Sequence, residues 1–136
     1  MTVKVGDAIP PFRIASVDAE GMKVWAKILH DPNPIHLDPE VVRAAGLGDK
    51  VINQGPVNVA YIINALEGAY PGARVEELEV RFLANVFAED AVEAGGTVTE
   101  VTAVDGGQKV SCEVWLKAEG RDLVLSGRAV VFSPHR

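Results

Sequence analysis

The amino-acid sequence predicts an α+β fold, in which an antiparallel sheet packs around one central buried helix. Two observations predict it. The first half carries most of the prolines and contains helical patterns of apolar residues. The second half consists of long stretches of alternating polarity separated by glycine-containing turns, which is typical of antiparallel strands.

The first half predicts one short strand and two helices before the central one. Polarity alternates within residues 8–16, which predicts a strand. Asp18 is a suitable N-cap for an amphipathic helix over 19–29, and we expect Trp25 of that helix to lie in the core. Asp, Pro and Glu at the start of a second helix, about 39–45, suit its first turn.

The most apolar segment follows and predicts the central helix. From Pro56 to Leu66 the residues are apolar on nearly every side, and a helix of this kind is normally buried. Proline suits the first turn of a helix, and we expect Gly68 and the Pro71-Gly72 pair to close it.

The second half predicts four strands. They cover residues 77–83, 91–103, 108–119 and 122–132, and the Asp105-Gly106-Gly107 sequence indicates a tight hairpin between the second and third. A helix followed by long antiparallel strands suggests a sheet wrapped around that helix, which is the hot-dog arrangement. An ordinary α+β sandwich remains possible from the pattern alone.

Length and composition restrict the class of protein. The chain of 136 residues fits a single domain, 1–136, and a chain of this size would gain stability from forming a homodimer or higher homo-oligomer. A net charge of −6 without a basic cluster argues against nucleic-acid binding. We expect a cytoplasmic protein without membrane contact, because there is no signal peptide, no membrane-spanning apolar run and only one cysteine, Cys112, which we expect to be a packing residue.

The segment HDPNPIHLD, residues 30–38, contains the strongest candidates for chemistry. It can be read as a stiff turn in which Asp and Asn make local backbone hydrogen bonds. It can also be read as a loop that brings Asp31 and His36 to one water as a general acid/base pair. Side chains of these two residues in different cavities would contradict the second interpretation.

A second candidate segment lies at the start of the central helix. A helix N-terminus presents unpaired N–H groups and the positive end of the helix dipole. Gly55 lets a substrate approach the backbone closely, and its N–H could stabilise an enolate-like oxyanion. The preceding Asn53 and Gln54 could contribute polar side chains to the same site.

These two segments resemble the MaoC-like dehydratases, also called R-specific enoyl-CoA hydratases. The signature of that family is an aspartate, any residue, Asn-Pro, an aliphatic residue and then histidine. It matches Asp31, Asn33-Pro34, Ile35 and His36 position for position, and Gln54-Gly55-Pro56 follows at the expected place.

The resemblance implies a single hot-dog domain whose N-terminal helical insertion carries the site, usually assembled as a dimer. It implies reversible hydration of a trans-2-enoyl thioester to the R-3-hydroxyacyl thioester. Asp31 and His36 would activate the water, and the Gly55 N–H would bind the oxyanion. We expect Asn33, Gln54 and Tyr61 to contact the substrate, although the pattern is equally compatible with Tyr61 as a hydrogen-bonded core residue. No metal or cofactor is implied, since the CoA or carrier-protein arm belongs to the substrate.

The sequence departs from the family pattern at two places. His30 stands where many members have glycine, and either lines the pocket or has a capping or solvated role. Gln54-Gly55-Pro56 replaces the common His-Gly-Met, so the shape of the substrate stays open. Lys50, Arg74 and Arg81 could meet the phosphates of a CoA arm or be ordinary surface charges.

Two other functions stay open from the sequence. The chain could be a non-catalytic, pocket-shaping subunit of a hot-dog heteromer, although the intact Asp31 and His36 argue against it. A hot-dog acyl-CoA thioesterase would need a carboxylate near the central helix, and residues 55–66 contain neither Asp nor Glu.

Overall fold

The computed structural model describes residues 2–121 and 123–135. Strand β1 is followed by three helices and then by four strands. In chain order the elements are β1 (Ala8–Ile14), α1 (Ala19–Ile28), a 3₁₀ turn (Pro34–His36), α2 (Pro39–Ala44), α3 (Gly55–Ala69), β2 (Arg74–Phe82), β3 (Val92–Val104), β4 (Gly107–Ala118) and β5 (Leu123–Pro134). The 3₁₀ turn falls within the proline-rich connection that the sequence predicts to be non-helical.

The five strands form one antiparallel sheet in the order β1-β3-β4-β5-β2. The predicted hairpin joins β3 to β4 through Asp105 and Gly106. Gly106 has a φ of +80°, a backbone conformation that favours glycine and allows the tight turn. Strands β1 and β2 form the two edges of the sheet. Strand β2 follows α3 in the chain and pairs with the last strand, β5, and not with β3.

One face of the sheet forms the core together with α3. In β4, Val110, Cys112 and Val114 are buried, whereas Lys109 and Glu113 on the other face are exposed. Helix α3 contacts β1, β2, β3 and β4 on the buried face. This alternation confirms the predicted α+β architecture, with an antiparallel sheet packed on a central helix.

Three details of the sequence-based prediction are wrong. Helix α3 continues through Gly68 to Ala69, and the chain turns afterwards at Gly72, whose φ is +80°. The side of α3 away from the sheet is not buried in the single chain, since Ile63 is only half-buried. Trp25 is 37% exposed, whereas Met22, one turn earlier on α1, is 1% exposed.

The helices α1 and α2 and the 3₁₀ turn lie between β1 and α3, and they carry the candidate site. That this segment is an insertion into a simpler fold stays a prediction. Among the described residues, no helix is both long and apolar enough to cross a lipid bilayer.

We expect Gly68→Ala to stabilise the protein by about 0.5–1 kcal/mol, because alanine favours a helix interior over glycine. A Cβ at position 68 meets nothing within 4 Å. Urea denaturation monitored by circular dichroism measures the change in the free energy of unfolding. The matched control is Gly96→Ala, whose Cβ would lie 2.2 Å from the Glu113 carbonyl oxygen and should therefore destabilise the sheet. Equal effects of the two substitutions would contradict this account.

Candidate active site

The loop before His36 is folded by its own polar side chains. The Asn33 N–H donates to Asp31 Oδ1 at 3.1 Å, and the Ile35 N–H donates to Asn33 Oδ1 at 3.2 Å. Pro34 begins the 3₁₀ turn that ends at His36. These short-range bonds are the ones that the stiff-turn interpretation expects, and they hold the backbone between Asp31 and His36 in one shape.

The same loop brings the Asp31 carboxylate to the His36 imidazole. Asp31 Oδ2 lies 3.3 Å from His36 Nε2. Asp31 therefore uses its two oxygens for different contacts, since Oδ1 accepts from the Asn33 N–H and Oδ2 faces the imidazole. The stiff turn and the contact between Asp31 and His36 are thus two properties of one loop.

His36 is held in one orientation by the protein interior. The residue is 7% exposed, and its Nδ1 lies 2.6 Å from the Ile52 carbonyl oxygen. A carbonyl oxygen can only accept, so Nδ1 carries the proton of the hydrogen bond. In the neutral ring, Nε2 then presents a lone pair to Asp31. Two acceptors in contact at 3.3 Å need a shared proton or a water that binds to both from beside the contact.

The pair lies where two surface depressions meet. Asp31 lines a depression of about 730 Å³ and His36 lines a neighbouring one of about 690 Å³, and Lys23 and Leu37 line both. The two side chains therefore line different depressions but are in contact at the boundary between them. The side chain of Asp31 is 33% exposed, so water reaches the carboxylate directly.

His30 has a capping role in the backbone. Its N–H donates to the Lys27 carbonyl and the Asp31 N–H donates to the Ala26 carbonyl, which is the Schellman pattern at the end of α1. His30 occupies the left-handed position of this motif with a φ of +51°. Glycine is usual there because it has no β-carbon. The exposed His30 side chain lines the same depression as Asp31.

The segment before α3 connects this loop to the rest of the protein. The Ile52 N–H donates to the Ile35 carbonyl at 2.9 Å, and the Asn53 N–H donates to the Val86 carbonyl at 2.7 Å. The first bond holds the segment against the 3₁₀ turn, and the second holds it against the chain between β2 and β3. The carbonyl that orients His36 is thereby held from both sides.

Gln54 is enclosed by the protein, and its contact with the substrate stays a prediction. Gln54 is completely buried, and its Nε2 donates to the Met22 carbonyl oxygen at 2.8 Å. Gln54 Oε1 is buried without a hydrogen-bond partner among the described protein atoms. Because the side chain is enclosed between α1 and the start of α3, it holds the first turn of α3 against α1.

Gly55 begins α3, so its N–H is among the helix donors that have no intrahelical partner. A Cβ at this position would lie 3.2 Å from the ring of Phe82 at the end of β2. Gly55 lines neither of the two depressions that meet at Asp31 and His36. Its role as oxyanion donor stays a prediction.

Tyr61 is part-buried and hydrogen-bonded, which is one of the two roles that the sequence left open for it. Asn53 Nδ2 donates to Asn58 Oδ1 at 2.8 Å and to the Tyr61 hydroxyl oxygen at 3.1 Å. The Tyr61 ring stacks on Phe12 with 6.2 Å between the centroids. Burial raises the pKa of the Tyr61 hydroxyl, so it can serve as a hydrogen-bond donor. Two asparagines in an otherwise apolar segment were the available signal.

Neither a metal cluster nor a reactive thiol accompanies the pair. Within residues 2–121 and 123–135, no group of three or more His, Cys, Asp or Glu side chains is arranged to hold a metal ion. Cys112 is buried in β4, and burial raises its pKa to about 11. A neutral thiol is a poor nucleophile, which agrees with the predicted packing role.

Comparison with known proteins decides the family. Residues 6–119 match the family model described as MaoC like domain, which is most of the chain. The chain belongs to the MaoC-like dehydratase family. The mitochondrial 3-hydroxyacyl-[acyl-carrier-protein] dehydratase of Arabidopsis thaliana is 30% identical over 90 residues, 66% of this chain. That match covers 52% of the relative, so this MaoC-like chain spans about half of its length.

Solved structures show that this family member has the hot-dog fold. The (R)-hydratase from A. caviae involved in PHA biosynthesis superposes with a TM-score of 0.86 at 22% identity, covering 98% of both chains. A chain of the ChsH1-ChsH2 complex from Mycobacterium tuberculosis gives a TM-score of 0.79 at 20% identity, covering 99% of this chain and 100% of the other. At these identities the likeness concerns the fold.

We expect His30→Gly to stabilise the protein by about 0.5–1 kcal/mol, because glycine adopts the left-handed conformation without a β-carbon clash. The free energy of unfolding in urea is the measurement. His30→Ala is the matched control, since alanine keeps the β-carbon and should leave the stability within about 0.5 kcal/mol of the original. If alanine stabilised as much as glycine, backbone strain at His30 would not be the cause.

Proposed function

We propose that this chain catalyses the reversible addition of water to a trans-2-enoyl thioester, giving the R-3-hydroxyacyl thioester, and is therefore a hydro-lyase. The observation that carries the proposal is the contact between Asp31 Oδ2 and His36 Nε2, with the imidazole held by the Ile52 carbonyl. Family membership supports it, since two of the related proteins are named as a hydratase and a dehydratase.

The proposed reaction uses the two acceptors that face each other. A water bound beside their contact donates one hydrogen to His36 Nε2 and the other to Asp31 Oδ2, so that its lone pair points away from both groups. Its oxygen attacks the β-carbon of the enoyl thioester while one acceptor takes up the proton. A proton then returns to the α-carbon, so that one H and one OH are added. Dehydration is the same sequence in reverse.

Negative charge develops on the thioester carbonyl oxygen during the attack. The Gly55 N–H at the start of α3 is our candidate donor to that oxyanion, and the helix dipole has the favourable sign there. The Tyr61 hydroxyl, held by Asn53, is a candidate contact along the acyl chain. Asn33 contributes mainly by holding the loop, because its Oδ1 is used by the Ile35 N–H.

No step of this reaction requires a metal or redox cofactor, because only a proton and a hydroxyl are transferred. The CoA or carrier-protein arm is part of the substrate. We also propose that the chain acts as a homodimer or higher homo-oligomer, which would cover the half-exposed side of α3 at Ile63. The cytoplasmic location stays a prediction, since the Arabidopsis relative is named as mitochondrial.

A non-catalytic subunit is the second candidate function. One observation favours it: a structural neighbour comes from a complex of two differently named chains, ChsH1 and ChsH2. Activity of the purified chain alone, together with its mass in solution, distinguishes a self-sufficient enzyme from a subunit that needs another chain.

We expect the purified chain to hydrate crotonyl-CoA, measured as loss of the enoyl absorbance, with an R-3-hydroxyacyl product identified by chiral analysis. Asp31→Asn and His36→Ala should each lower kcat by about 10²–10⁴-fold, the usual contribution of a general acid or base. Asp38→Asn is the matched control, because Asp38 caps α2 through its side chain and asparagine caps equally well.

Two results would contradict the proposed function. Full activity of the Asp31 and His36 variants on an accepted substrate would exclude the mechanism. Release of free CoA in place of hydroxyacyl-CoA would indicate a thioesterase.

A further inference from the structure

The two depressions that meet at Asp31 and His36 differ in charge. The first is lined by Lys23, Lys27, His30 and Asp31, so that cationic groups outnumber its single carboxylate. We name it the α1 depression. The second, which we name the acidic depression, contains four carboxylates and two lysines in its lining: Asp18, Glu20, Asp49, Glu89, Lys23 and Lys50. The pair lies at the boundary between positive and negative surroundings.

The lysines of the α1 depression are the candidate cations that line the same depression as Asp31. Lys27 has no ion-pair partner within the part of the chain that the structure describes. Lys23 pairs with Glu20 at 2.9 Å, but both side chains are more than half exposed, and such pairs are weak. Of the cations that the sequence suggested for phosphates, Lys50 lines the acidic depression, and Arg74 and Arg81 line neither of the two depressions.

The lining of the α1 depression combines charged and apolar groups. Lys23 and Lys27 lie one helical turn apart on α1, and both line the depression together with Asp31. The two lysines therefore lie in the same depression as one member of the candidate acid/base pair. Ala26, Pro32 and Leu37 supply the apolar part of the lining.

We infer that the α1 depression binds the phosphopantetheine arm of the acyl thioester, with Lys23 and Lys27 contacting its phosphate. The identity of the ligand rests on the proposed function. The phosphate is common to CoA and to a carrier protein, so the same contact applies to either form of the thioester substrate. The thioester then reaches Asp31 and His36 from the side of α1, because the acidic depression repels the phosphate.

His30 belongs to the same surface. Its side chain lines the α1 depression although its backbone occupies a position that favours glycine. An imidazole there can donate a hydrogen bond to the arm, which glycine cannot. His30→Gly should therefore weaken binding of the arm while it stabilises the fold. A merely structural role of His30 would not produce opposite changes in binding and stability.

The experiment compares Lys27→Gln with Lys50→Gln, which removes a lysine from the acidic depression. Three crotonyl thioesters are used: CoA, carrier protein, and pantetheine without phosphate. Lys27→Gln should raise KM about three- to fivefold for the two phosphate-bearing substrates, the size expected for one exposed ion pair. It should leave KM for the pantetheine thioester unchanged. Lys50→Gln should leave the ratio of the three KM values unchanged.

The other outcomes overturn the inference. An increase in KM of Lys27→Gln that is equal for all three substrates indicates a general structural effect. An increase in KM of Lys50→Gln that is confined to the phosphate-bearing substrates places the phosphate in the acidic depression. An increase in KM of Lys27→Gln that is confined to the CoA thioester assigns the lysines to the nucleotide phosphates of CoA, not to the pantetheine phosphate.

A binding measurement separates this inference from the proposed function. Calorimetric titration of the wild-type chain, Lys27→Gln and Lys50→Gln with 4′-phosphopantetheine and with pantetheine does not require turnover. Binding of 4′-phosphopantetheine that weakens selectively in Lys27→Gln supports the inference even if the chain hydrates no enoyl thioester, a result that would contradict only the proposed function. Absence of 4′-phosphopantetheine binding by the wild type, or equal binding by both variants, overturns the inference.

Discussion

The arrangement of the candidate site depends on one hydrogen bond, from His36 Nδ1 to the Ile52 carbonyl oxygen. This bond crosses from the proline-rich loop to the segment that starts α3, so it joins the two halves of the site. It determines which ring nitrogen carries the proton and leaves Nε2 for Asp31. Because His36 is almost fully buried, water competes little for the bond, and the ring keeps one orientation.

The rest of the fold holds the Ile52 carbonyl in place. The Ile52 N–H donates a hydrogen bond to the Ile35 carbonyl in the 3₁₀ turn. The N–H of the next residue, Asn53, donates to the Val86 carbonyl beside the sheet. Gln54 then fastens the start of α3 to the carbonyl of Met22 in α1. Residues 52–54 thus each hold a different neighbouring part of the chain, and Gly55 follows them as the first residue of α3. The sheet and the central helix matter for function because they keep this short segment in position.

The sequence predicted the parts of the fold that depend on local patterns. Alternating polarity located the strands, and Asp18 and Asp38 cap the helices that the sequence assigned to them. The prediction failed where the outcome depends on neighbours. Gly68 remains helical because the last turn of α3 has packing partners, and Trp25 is partly exposed whereas Met22, one turn earlier, is buried. The burial of Gln54 follows from the approach of α1, which no local pattern shows.

The sequence by itself determined which groups are available for chemistry, because Asp31, His36 and their proline spacing are properties of a short segment. It also determined the shape of that segment, since Asp31 and Asn33 bond to amides two residues away. Only the tertiary structure decided the proton position on His36, because the acceptor, Ile52, lies sixteen residues further along the chain. It likewise decided the opposite charges of the two depressions, which gather residues from several elements. Long-range contacts of this kind leave no local pattern in the sequence.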